Sequence, residues 1–106
     1  MNRVKINSEE WQVLLVSANH PKLYRVDGSL TIGSCDDITK CIYIKEDMNE
    51  YDTFKVLCHE MTHAVMFSYN VDLPPEQEEL FADLLATYGL EIIELTNYIL
   101  KGESYY

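Results

Sequence analysis

The chain is short of cysteine, glycine, proline and basic residues, and each shortage excludes a class of explanation. Three cysteines in 106 residues, an odd number, do not make the disulfide framework of a small secreted domain, so reduced thiols are expected. Four glycines and three prolines leave no linker, repeat or low-complexity tract, and the length suits a single domain spanning residues 1–106. Eight Lys and Arg against 18 Asp and Glu give a net charge of −10, which argues against a nucleic-acid partner and favours attraction to basic protein segments. The sequence shows no charged-then-apolar leader and no run of about eighteen apolar residues, so neither export nor membrane insertion is expected and the expected compartment is the cytoplasm.

What is present is a chemical motif, His59-Glu60-Met61-Thr62-His63. At about 100° per residue, two histidines four apart lie about 40° apart in azimuth and one turn apart in height, so both can hold one metal ion. Glu60 lies between them in azimuth, beside an open metal position, where it can take a proton from water. A shuffle of this composition would yield the pattern only about 0.01 times per chain. Its surroundings are helical: residues 51–69 contain no Gly or Pro, and Phe54, Leu57, Met61, Ala64, Val65 and Ser68 fall on one roughly 80° sector that should be the buried stripe. Both histidines point away from that stripe, flanked by Val56 and Phe67. Asn49 or Glu50 should begin this helix and Asn70 should end it.

A catalytic zinc needs a third protein ligand. Two prolines, Pro74 and Pro75, suit the loop into a second helix that runs on to about residue 102. An antiparallel hairpin of the two helices brings Glu79 to the height of the histidines. Asp83, one turn on, can accept the free ring N–H of a metal-bound imidazole. Glu78 is the alternative ligand, about 100° around the helix, and Glu76 and Glu78 also suit the positive end of a helix.

His-Glu-x-x-His followed by Glu79-Leu-Phe-Ala-Asp83 resembles the gluzincin pattern of zinc metallopeptidases. The sequence over roughly residues 28 to 90 looks most like the small ImmA/IrrE-type metallopeptidases of phages and mobile elements, although Glu78-Glu79 stands where an Ala-Asn pair commonly precedes Phe-Ala. The resemblance implies one zinc per chain on His59, His63 and Glu79, Glu60 as general base, Asp83 orienting a ligand, and an intracellular protein or peptide substrate, such as a phage or mobile-element regulator. Two rival readings are a catalytically inactive metal-binding adaptor and a small phage-encoded interaction protein.

The expected fold is α+β and minimal zincin-like: an N-terminal helix, a three-stranded antiparallel sheet, the zinc helix and an antiparallel C-terminal helix. Arg3–Ile6 reads as a short strand and residues 8–19 as a helix, with Ser8 as cap and Trp11, Leu14, Leu15 and Ala18 on one face. Residues 22–26, 29–33 and 41–45 read as the meander, turning at Asp27-Gly28 and near Asp36-Asp37. If its last strand lies at the sheet edge, Cys41, Ile42, Tyr43 and Ile44 would cradle an extended substrate. Cys35 and Cys41 could face each other across the second turn, His20 reads as a surface or capping residue, Cys58 as a small core residue, and residues 102–106 as a frayed tail.

Overall fold

The computed structural model describes residues 2–102; most of the expected tail, residues 103–106, lies outside the described residues. Four strands, β1 (Arg3–Ile6), β2 (Glu9–Val16), β3 (Gly33–Asp36) and β4 (Cys41–Lys45), precede three helical segments, α1 (Glu50–Ser68), α2 (Pro75–Leu84) and α3 (Leu90–Leu100). The fold is α+β, as expected, but the sheet is four-stranded and mixed, in the order β1-β2-β4-β3. Pairing is antiparallel for β1/β2 and β3/β4 and parallel for β2/β4.

The expected N-terminal helix is absent: residues 9–16 form β2. Asn7 and Ser8 have φ of 48° and 66° and pair Ile6 with Glu9 across a two-residue loop. Positive φ at both loop residues is the twist a tight hairpin requires. Ser8 is therefore a turn residue rather than a helix cap, and Trp11 and Val13 alternate inward as a strand demands.

The meander is also shorter than expected. Residues 21–33 carry a 3₁₀ turn (Pro21–Leu23) capped by His20, which accepts a hydrogen bond from Lys22 N, and a single bridge between Tyr24 and Leu30 around the expected turn at Gly28. Cys35 pairs with Ile42 and Asp36 with Cys41, so the two cysteines are not opposite each other, and all three cysteines are free.

The core gathers Ile6, Trp11, Val13, Ile42, Ile44 and Ala64 between sheet and α1. Trp11 is fully buried and donates its indole N–H to Ser68 Oγ at 2.8 Å, while Asn7 Nδ2 donates to Ser68 O at 2.8 Å. These two bonds tie the first hairpin to the last turn of α1. Asn49 caps the start of that helix, accepting from Asp52 N at 2.7 Å, and Asn70, at φ 54°, ends it in the left-handed conformation.

The second expected helix is interrupted by a π-helical turn, Leu85–Gly89, but the backbone stays helical throughout, at φ −61° and ψ −47° for Leu84 and φ −63° and ψ −44° for Leu90. Residues 75–100 therefore form one rod. No described helix is long and apolar enough to cross a membrane.

Candidate metal centre

Two helices and one strand build the site. Asn49 sets where α1 starts, and the loop of residues 69–74 turns the chain so that α2 runs back along α1. The antiparallel hairpin places Glu79 against both histidines: His59 Nε2 lies 3.1 Å from Glu79 Oε2, and His63 Nε2 lies 3.0 Å from Glu79 Oε1. The two Nε2 atoms are 3.2 Å apart. One donor atom from each of His59, His63 and Glu79 falls within 4.8 Å of the others, a group able to hold a metal ion.

The outer face of each imidazole is occupied. His59 Nδ1 is 2.9 Å from Asp83 Oδ1, and His63 Nδ1 is 2.9 Å from Glu78 Oε1. Each carboxylate can only accept, so the satisfied tautomer of each ring carries its proton on Nδ1. In neutral rings both Nε2 atoms then present lone pairs to each other and to the Glu79 oxygens. Convergent acceptors with no hydrogen among them repel unless a cation lies between them, and imidazole with carboxylate is a donor set that suits zinc. The residues therefore fit the metal that the motif implies.

Glu78 is the residue whose place the sequence did not reveal. It was the alternative ligand, yet its carboxylate holds the far side of His63 rather than the convergent side. The signal available was its adjacency to Glu79: about 100° of helix rotation lets neighbouring glutamates meet one histidine ring from opposite sides.

Glu60 is buried, at 9% exposure. Burial pushes its carboxyl above the usual range; the neighbouring His59 and His63 oppose that rise, Glu79 adds to it, and Arg25 opposes it. Burial thus favours the protonated form, and a carboxyl so placed can hold a proton as well as release one. Strand β3 presses on it: a Cβ built on Gly33 would lie 3.2 Å from both Cγ and Oε2 of Glu60 and 2.6 Å from Val56 Cγ1. This close approach requires glycine at position 33.

The ligands open onto a cleft of about 880 Å³, lined also by Arg25, Ile32, Gly33, Ser34, Lys55 and Thr87. That volume is in the range of ligand-binding clefts. No described tyrosine is among its lining residues, so the polar groups facing it besides His59, Glu60, His63, Glu79 and Asp83 come from Arg25, Thr31, Ser34, Asp52, Lys55 and Thr87.

The expected cradle, Cys41, Ile42, Tyr43 and Ile44, does not line the cleft as an edge. β4 pairs with β2 on one side and β3 on the other, which uses up its backbone groups, and Ile42, Tyr43 and Ile44 are buried. The strand at the end of the sheet on this side is β3. Cys58 and Cys35 are not part of the group that converges on the candidate metal position, and burial raises the pKa of both thiols.

Comparison of the chain with protein-family models, with curated proteins and with solved structures finds no match.

Proposed function

We propose that this chain is a zinc-dependent metallopeptidase of gluzincin type, which hydrolyses peptide bonds of a protein or peptide substrate. The observation that carries the reading is the convergence of the two imidazole Nε2 atoms and the Glu79 carboxylate beside a buried carboxylate, Glu60, that binds neither ring. His59, His63 and Glu79 would hold the metal. A zinc there supplies Lewis acidity, polarising a carbonyl and making a water acidic near neutral pH.

The rest is the work of the chain. Glu60 takes a proton from the attacking water and returns it to the leaving amine. Asp83 and Glu78 hold the two rings with their Nε2 atoms aimed inward and raise the basicity of those nitrogens. Arg25 and Lys55 bring positive charge to a cleft otherwise dominated by carboxylates, where charge develops on the carbonyl oxygen. The terminal strand β3, whose Gly33 and Ser34 line the cleft beside the preceding Ile32, offers backbone to pair with an extended peptide.

The test is Glu60→Gln. The variant should bind zinc as the wild type does and lose most peptide hydrolysis, since a base is removed and no ligand is. Zinc binding without turnover in the wild type would instead make the chain a metal-binding adaptor. Undiminished hydrolysis by Glu60→Gln would remove Glu60 from the mechanism.

A further inference from the structure

A second concavity lies on the other face of the α1/α2 hairpin. It has a volume of about 560 Å³, and its walls include Phe54, Leu57, Met61, Val65, Phe81 and Leu85. Four of these, Phe54, Leu57, Met61 and Val65, belong to the stripe whose spacing on α1 calls for burial, yet Phe54 is 45% exposed and Val65 39%. The hydroxyl in the groove, Thr62, already donates to Cys58 O at 2.8 Å, so the groove can be covered without stranding a polar group.

The same chain carries a helix of matching length that is largely exposed among the described residues, with only Leu95 and Tyr98 half-buried. α3 has no buried residue, and it overhangs the hairpin as the end of the rod begun by α2. Ile92, Ile93, Thr96, Ile99 and Leu100 recur at i, i+1, i+4, i+7 and i+8, a stripe within about 120° that excludes Glu91 and Glu94. Its apolar members are 53 to 78% exposed. Thr96 donates its hydroxyl to Ile92 O at 2.8 Å, so this stripe too can be covered at no polar cost.

The dimensions agree. Along α1 the groove runs from Phe54 to Met66, about 18 Å at 1.5 Å per residue, and the eleven residues of α3 span about 16 Å. α3 departs from the groove's own end, since Leu85 lines the groove and α3 begins five residues later. Within one chain it continues away from the groove. A two-fold axis near that junction lets each copy lay its α3 in the other's groove. At about 200 Å² for a fully exposed large side chain, Ile92, Ile93, Ile99 and Leu100 at 53 to 78% exposure and Phe54, Val65, Val71 and Phe81 at 39 to 48% leave apolar surface comparable to the roughly 800 Å² that a standard-size stable interface buries per partner.

We propose that the groove is the docking site for α3 of a second copy of this chain, giving a reciprocal homodimer. With a charge of −10 per chain, the two copies repel, so association driven by apolar burial tightens as salt screens that repulsion.

Sedimentation equilibrium of the full chain at micromolar concentration tests this. The expected result is a dimer that strengthens with added salt and becomes monomeric in both Ile93→Glu, on α3, and Val65→Glu, in the groove. A wild-type monomer, a dimer weakened by salt, or a dimer that survives either substitution in a folded variant overturns the proposal. The wild type alone supplies a second readout in case a variant does not fold. Alkylation of Cys58, a groove residue, should slow at concentrations where the dimer forms, while Cys41, outside the groove, should react at an unchanged rate. Equal behaviour of the two thiols overturns the proposal.

Discussion

Replacing Gly33 by alanine should displace Glu60, the proposed base, while leaving the proposed metal ligands in place. The added Cβ would sit 2.6 Å from Val56 Cγ1, against about 3.5 to 4.0 Å for carbon atoms in ordinary contact, so about 1 Å must be found. Val56 is β-branched and on a helix, where one rotamer dominates, so the side chain gives little. Relief comes from β3 moving off α1 beside Glu60. Overpacking of this kind costs about 1 to 3 kcal/mol of stability, and a 1 Å displacement of a reacting group can cost about 100-fold in rate. The three atoms nearest the new methyl group belong to Val56 and Glu60, not to His59, His63 or Glu79, so zinc affinity should hold. The assay pairs denaturant unfolding and chelator competition with kcat/KM on an unstructured protein substrate. Adding Val56→Ala should recover part of the lost stability, because it removes the methyl that clashes. Wild-type stability and turnover in Gly33→Ala would refute the reasoning, as would a loss of zinc affinity as large as the loss of rate.

Three further outcomes follow from the contacts. Glu78→Gln and Asp83→Asn should each weaken zinc affinity by about 10- to 100-fold through the ring that each holds, and equilibrium zinc titration showing an effect only for Asp83→Asn would return Glu78 to the role of a solvated helix-end charge. Ser68→Ala leaves the buried Trp11 N–H without its acceptor and should cost about 1 to 3 kcal/mol in denaturant unfolding, with no change in zinc affinity. Asp36 is held at a pKa of about 2 by its hydrogen bond to Lys22, helped by backbone donors at Ile38 and Thr39 and opposed by burial. Because its folded pKa lies below the unfolded value, that stabilisation is present above about pH 4 and is lost as pH falls toward 2. Asp36→Asn should therefore destabilise by up to about 1 kcal/mol at pH 7, as expected for a solvent-screened pair, and the penalty measured by unfolding should shrink between pH 4 and pH 2.

The helical half of the fold was legible because its signals are local and redundant. An unbroken period over α1, an asparagine at each end and a proline pair before α2 all point to one hairpin, and the heights of His63 and Glu79 then follow from 1.5 Å per residue. The strand half was less so. Ser8-Glu9-Glu10 has the composition of a helix start, and only the positive φ of Asn7 and Ser8, which composition does not encode, turns the same residues into a hairpin. β4 could be recognised as a strand, but its central position depends on a long-range parallel pairing with β2. Gly33 and the outward role of Glu78 were hidden for the same reason: each depends on how two elements meet, in one case β3 on α1 and in the other α2 on His63.

The measurement that bears most directly on the metal centre is X-ray absorption at the zinc edge of the reconstituted chain, with metal content determined on the same sample. The account predicts one zinc per chain in a shell of light atoms, two imidazole nitrogens at about 2.0 to 2.1 Å and carboxylate oxygen at about 2.0 to 2.2 Å, with the imidazole signal and the bound metal lost together in His59→Ala/His63→Ala. A chain that takes up no zinc, or a shell containing sulfur at about 2.3 Å, would contradict it.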